Sequence, residues 1–379
     1  MKKLYFLILA LGVFVLHARS QSTDDILNVL VTKNLISATE ADSLRAEAAI
    51  AAQTNLAKVK SFPVNAAKKI SLAGYTQIRY QALEETGKVD GFDIRRARVD
   101  LKGKLSPYWA YRLQFDLAGT PKLIDAYAEL KVNDYLNITF GQAKIPFSLE
   151  NITSSPKLEL IDRSQVVEAL TARGKDLGGN QNGRDIGILL GGNLLKLKDR
   201  PVVDYRLGVY NGSGINTADK DETKDYAARL IFYPVTGLAF SGALYNGSRF
   251  VPEVKTGTVV TTPSKSVDRN RFGFDLSYDR KNFSLRSEYI YGKDDVTERE
   301  GYYLLGGYYL LQKKVQFVAK YDFYDADKAK ADDASTWVVL GANYNFNANT
   351  KLQVNYSIKQ EEGTSIDNNF ANVQLQIGF

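Results

Sequence analysis

Arg96, Arg98, Lys102 and Lys104 all share one parity, with Asp100 in the gap between them. A period of two places them on one face of a β-strand, opposite Ala97, Val99, Leu101 and Gly103. The guanidinium group is a permanent, weakly hydrated cation whose forked donors match carboxylates and phosphates in two-point geometry. The same alternation puts Arg79, Arg112, Arg206, Arg229 and Arg286 on the polar faces of their own segments, with Lys131 and Lys320. Asp100, Asp116, Asp125, Glu129, Asp204 and Glu288 share those faces. A column of cations only partly balanced by acids attracts small anions. The same charges can instead be consumed in Arg–Asp pairs that hold a wall together, and the spacing alone leaves both uses open.

Other chemistry is excluded by residue type. The one histidine is His17 and there is no cysteine. That removes Ser-His-Asp and Cys-His catalysis, His-ligated zinc and haem, disulfides, and lipid anchoring through a cysteine. No catalytic residue, metal or cofactor is expected, although acids are numerous enough for a two-carboxylate mechanism to stay open. No GxxxxGK[ST] phosphate loop occurs. Gly191-Gly192 and Gly306-Gly307 sit inside strand-like runs, as packing or bulge positions.

Residues 1–20 read as a secretory signal. Met1-Lys2-Lys3 is basic, Leu4 to Leu16 is apolar but too short to span a bilayer, and Ala18-Arg19-Ser20 suits cleavage before Gln21. Removing this segment lowers the formal charge from +6 to +3. With no basic tail, a nucleic-acid partner is not expected. Residues 21–63 read as a periplasmic helical segment and linker. Ser22 to Asp25 can cap a helix carrying Ile26, Leu27, Leu30 and Val31, and Ser37-Ala38-Thr39-Glu40 is a capping box before a second run.

From residue 64 onward the polar faces belong to sixteen alternating segments. They lie near 70–80, 92–105, 109–117, 124–131, 135–143, 184–195, 201–211, 225–233, 237–246, 270–279, 282–292, 301–311, 313–324, 335–346, 350–360 and 370–379. Long polar connections (82–91, 144–183, 211–225, 246–269, 292–300, 324–335, 360–369) alternate with short turns. The connection at Gly119-Thr-Pro-Lys122 is short where the rhythm asks for a long one. The face opposite the charges is aliphatic and aromatic, in a chain holding 23 tyrosines and 18 phenylalanines. A soluble sandwich would need that face to be polar. The fold class predicted is therefore all-β: a transmembrane antiparallel β-barrel of about 16 strands at residues 64–379, in the bacterial outer membrane and in contact with its lipid.

The longest connection, 144–183, carries Lys144, Lys157, Arg163, Arg173 and Lys175. It also holds Ile145, Phe147, Leu149, Leu158, Leu160, Ile161, Val166, Val167 and Leu170, too much apolar surface for a free external loop. It is expected to fold inward onto the wall and narrow the bore.

Four stretches resemble the phosphate-selective porin O and P family: Phe92–Gly103, Gln114–Leu117, Asp125–Glu129 and Gly141–Glu150, in matching order and spacing. The likeness covers roughly 68–379. It implies a homotrimeric 16-stranded porin with a third-loop constriction and a ladder of inward arginines that conducts phosphate or related anions. Arg95, Arg96, Arg98 and Lys144 are the positions that match. Arg95 has the wrong parity for the bore, so it requires a bulge or belongs to the rim. The pore-lining, anion-contacting set expected is thus Arg79, Arg96, Arg98, Arg112, Lys144, Arg206, Arg229 and Arg286. The function expected is passive diffusion of small anions, phosphate among them. A general non-selective porin, or a structural or adhesive barrel, is the alternative.

Overall fold

The structure, a computed structural model, describes residues 69–379 apart from 177–178, 198–199, 252, 257–258, 263 and 364–365, together with 27, 30–33, 37, 40–41 and 62–63. The signal read at 1–20 lies outside the described residues, as does most of 21–63. Within the first unit, which ends at Phe62, residues 30–32 are helical. The Ser37 N–H donates to Glu40 Oε2 at 2.8 Å while the Glu40 N–H donates back to Ser37 Oγ at 3.2 Å, the reciprocal pair of a capping box. Those bonds, the Ser37 backbone N–H foremost, hold the Glu40 carboxyl below its usual range.

The second unit is a closed barrel of sixteen antiparallel strands. They are β1 Lys69–Leu83, β2 Gly91–Lys104, β3 Trp109–Asp116, β4 Lys122–Lys131, β5 Asn137–Lys144 and β6 Arg184–Leu197. Then come β7 Arg200–Tyr210, β8 Asp225–Phe232, β9 Leu238–Val251, β10 Lys265–Arg280 and β11 Phe283–Asp294. The last five are β12 Thr297–Leu310, β13 Val315–Asp325, β14 Ala334–Asn345, β15 Lys351–Glu361 and β16 Phe370–Gly378. Each pairs with its neighbours in sequence, and β16 closes on β1 with Gln374 opposite Arg79. The terminal Phe379 exchanges two backbone hydrogen bonds with Gly74, at 3.0 and 3.1 Å. Closure leaves no edge strand, the condition for burying a sheet in hydrocarbon.

Side chains alternate as the pleat demands. Along β13, Phe317 and Tyr321 are exposed on the outside while Gln316, Val318, Lys320 and Asp322 are buried inside. The ladders of β9–β12 run further than the apolar alternation reaches. Asp294 pairs with Thr297 across a two-residue turn, and β9 and β10 stay paired up to Val251 and Lys265. The connections read from composition at 246–269 and 292–300 are correspondingly shorter. Arg249, Asp268 and Arg299 all lie within these ladders.

Two bulges re-aim side chains. Gln77 pairs with Arg96 and Ile78 with Ile94, so Arg95 is an extra residue in β2. Gln114 pairs with Asp125 and Phe115 with Leu123, which leaves Ile124 extra in β4. Of the two readings left open for Arg95, the bulge is the one that holds.

The connection after β5 turns into the barrel. It forms α1 (Leu149–Ile152), a 3₁₀ turn (Ser155–Lys157) and α2 (Gln165–Leu170). Val166, Val167 and Leu170 of α2 pack with Ile290, Tyr303, Leu305 and Val318 on the inner wall. Polar wall residues accept hydrogen bonds from its backbone and from the Ser164 hydroxyl. Glu288 accepts from the Leu149 N–H at 3.0 Å, Asp322 from Ser164 Oγ at 2.8 Å, and Asn355 from the Ile161 N–H at 2.7 Å. The loop thus covers the β11–β16 wall and faces the wall of β1–β8.

Candidate functional site

Two cavities lie inside the barrel along the inner face of that loop. The outer one, of about 500 Å³, is lined by Arg79, Arg95, Arg96, Arg163, Arg173, Lys175 and Lys359, with Asp162 and Glu168 as its acids. The inner one, of about 410 Å³, is lined by Arg112, Lys144, Arg206 and Arg229, with Asp125 and Glu129. Cations outnumber acids in both. Arg163 lies within electrostatic reach of Arg96 and of Lys144, so it relates the two sets.

Each sequence-predicted site residue acquires a definite surrounding. Arg79 makes a two-point contact with Asp93, at 3.0 and 2.6 Å. Arg98 donates to Asp116 at 2.9 Å. Arg112 grips both oxygens of Asp100 at 2.9 Å and reaches Asp125 at 3.1 Å. Arg229 binds Asp275 at 2.7 Å, and Arg286 binds Asp279 at 2.7 Å. These five are paired, and Arg98 and Arg229 are almost wholly buried. The other three have no carboxylate partner among the described residues. Arg96 donates only to the Gln77 amide oxygen, at 2.8 Å. Arg206 lines the inner cavity, as Leu189 does. Lys144 gives its three protons to the carbonyls of Asn151, Ile152 and Thr153, at 2.8, 3.1 and 2.9 Å. That geometry caps the C-terminal end of α1 and leaves the ammonium no donor for a solute.

The loop adds cations whose place the spacing does not reveal. Arg163 donates to the Glu150 and Thr153 carbonyls, and its Nη1 has no hydrogen-bond partner. Arg173 bonds the Asn151 side chain at 2.7 Å and the Asn182 carbonyl at 3.1 Å, again without an acid. Arg95, delivered by its bulge, binds the Ile161 carbonyl and Asp162 Oδ1, the latter at 2.5 Å. Burial by itself would raise the Asp162 carboxyl. Arg95, Arg79 and Arg96 overcome that and hold it below the usual range. Glu150 behaves oppositely: burial pushes its carboxyl up against the pull of Lys320 and the Ser164 N–H.

Sequence parity also missed a set of wall pairs near the strand ends. Arg184 clamps Asp125 at 2.5 Å, and Arg271 binds Asp294 at 2.7 Å. Lys175 and Lys359 both approach the Trp337 ring, at 5.0 and 4.8 Å from its centroid. Among the described residues no group of three or more His, Cys, Asp or Glu could hold a metal ion. Paired arginines thus tie neighbouring strands of the wall together, while Arg96, Arg163, Arg173 and Arg206 line the two cavities without an acid partner among the described residues.

Comparison with known proteins bears on the fold. No curated protein matches the chain. Among solved structures, an anion-selective porin from Comamonas acidovorans superposes with a TM-score of 0.61 at 15% identity, covering 82% of this chain and 100% of that one. The outer membrane channel DcaP of Acinetobacter baumannii gives 0.62 at 14% identity, over 85% and 100% of the two chains. The trimer form of OmpT, an outer membrane protein of Vibrio cholerae, gives 0.60 at 13% identity, over 83% and 100%. At such identities the likeness is one of fold. Residues 72–379 match the family described as phosphate-selective porin O and P, and with that match across the whole barrel the chain belongs to this family of outer-membrane porins.

Proposed function

We propose that this porin is a passive diffusion channel with a preference for small anions, phosphate or related oxyanions among them. The observation that carries the reading is the set of unpaired cations, Arg96, Arg163, Arg173 and Arg206, around two cavities where acids are the minority. Inside a narrowed bore their field is screened less than at a surface, and it favours entry of anions without holding them tightly. Lys144 takes the supporting part of fixing α1. Arg79, Arg98, Arg112, Arg229 and Arg286 contribute mainly through their pairs. The pairing of those five also favours a second reading, a general porin with only weak ion preference. We take the functional unit as a homotrimer, by analogy with the trimer form of OmpT, and the segment before the barrel as periplasmic.

Conductance of the purified protein in planar bilayers, in chloride with phosphate added, tests the proposal. The expected result is a chloride current reduced by phosphate in the millimolar range. A current indifferent to phosphate, with equal passage of cations and anions, supports the general porin instead.

A further inference from the structure

On the outer wall, toward the short turns, the apolar face has a dent. Leu285, Gly306, Ala319 and Leu340 stand in one row across β11–β14. The row beneath is bulky: Phe283, Tyr308 and Phe317, with the Phe283 and Tyr308 rings 4.8 Å apart. Two small residues between large ones open a groove of about 750 Å³, and its lining is almost wholly apolar. Immediately below it a second cavity, of about 520 Å³, opens on the rim between the β10–β11 and β12–β13 turns. Phe283 lines both, so the two adjoin at its ring.

The rim cavity carries Arg280, Lys281, Lys313 and Lys314. All four are exposed, and none has an ion pair among the described residues. Its one carboxylate, Asp279, is neutralised by Arg286 at 2.7 Å. Lys281 and Lys313 have φ of 53° and 69°, left-handed positions where glycine or asparagine would fit without strain. Short turns mark the periplasmic side of such barrels.

We propose that this surface is a binding site for an anionic phospholipid of the periplasmic leaflet. One acyl chain lies in the groove over Gly306 and Ala319. The head-group phosphate sits against the four cations, which are close enough to the interface to pair with it. The uncharged apolar dent without the rim would seat any hydrocarbon. The rim supplies the preference for negative charge.

The test uses the full-length protein in detergent, with phosphatidylglycerol or phosphatidylethanolamine added and retention read by native mass spectrometry. Wild type is expected to retain phosphatidylglycerol at least fivefold better. The variant with Arg280, Lys281, Lys313 and Lys314 all replaced by Gln is expected to retain the two lipids equally. Gly306→Leu fills the dent, and because a Cβ there meets nothing within 4 Å the fold accepts it. It is expected to lower retention of both lipids. Equal retention of the two lipids by wild type, or a preference that survives the Gln variant, overturns the proposal. So does a Gly306→Leu protein that keeps its lipid but loses self-association by light scattering, since the groove would then be a contact between copies. None of these outcomes bears on ion preference in the bore.

Discussion

Arg96 donates to the Gln77 amide and Arg98 to the Asp116 carboxylate, although both project from β2 into the same bore. Their substitutions should therefore differ in kind. Arg96→Gln removes a charge that no described carboxylate pairs with directly. By Coulomb's law at an effective dielectric near 20, reduced by screening, this costs about 1 kcal/mol of anion attraction, or about fivefold in the anion-to-cation permeability ratio, with little change in stability. Arg98→Gln strands the buried Asp116 and should lower stability by about 3–5 kcal/mol, seen as a lower unfolding temperature in detergent. Parity placed both arginines inside, but it could not tell them apart. The partner of each comes from a neighbouring strand or amide whose register is a tertiary fact. Arg95 shows the same limit, because one inserted residue reverses its parity and only the pairing of Gln77 with Arg96 reveals it.

The inward loop is an element held by a few identifiable contacts. Leu170 and Val166 bury fully against Ile290 and Tyr303. Leu170→Ala should cost about 2–5 kcal/mol of packing and loosen α2. Single-channel conductance is then expected to rise or become noisy. Gly301 is packed from two sides, because a Cβ there would meet the Phe323 carbonyl oxygen of β13 at 2.5 Å and the Val166 Cβ at 2.8 Å. Gly301→Ala should press on both β13 and α2, lowering the unfolding temperature in detergent and enlarging the conductance without altering any charge. The link between Arg95 and Asp162 has a pH dependence of fixed sign. The Asp162 carboxyl is held below its usual range, so the link is fully present at neutral pH and is lost as pH falls through that lowered value. Acidic recording should reproduce what Asp162→Asn does at pH 7, and a variant that gates like wild type at both pH values would contradict the assignment. The loop's apolar content was plain in the sequence. Its contacts with Glu288, Asp322 and Asn355 were not, since they join positions more than a hundred residues apart.

At the scale of the molecule, strand count and closure were the most legible features. A period of two recurs through sixteen segments because lipid outside and water inside impose opposite requirements on adjacent residues. Strand ends were less legible. Toward the β9–β10 and β11–β12 connections the alternation fades while the ladder continues. Charge in the bore is the property of the whole on which the proposed function rests. The most direct measurement is the reversal potential of the purified protein in a planar bilayer across a KCl gradient. The account predicts a potential displaced toward the chloride equilibrium value, with the displacement reduced in Arg96→Gln. A potential displaced toward the potassium value would contradict it.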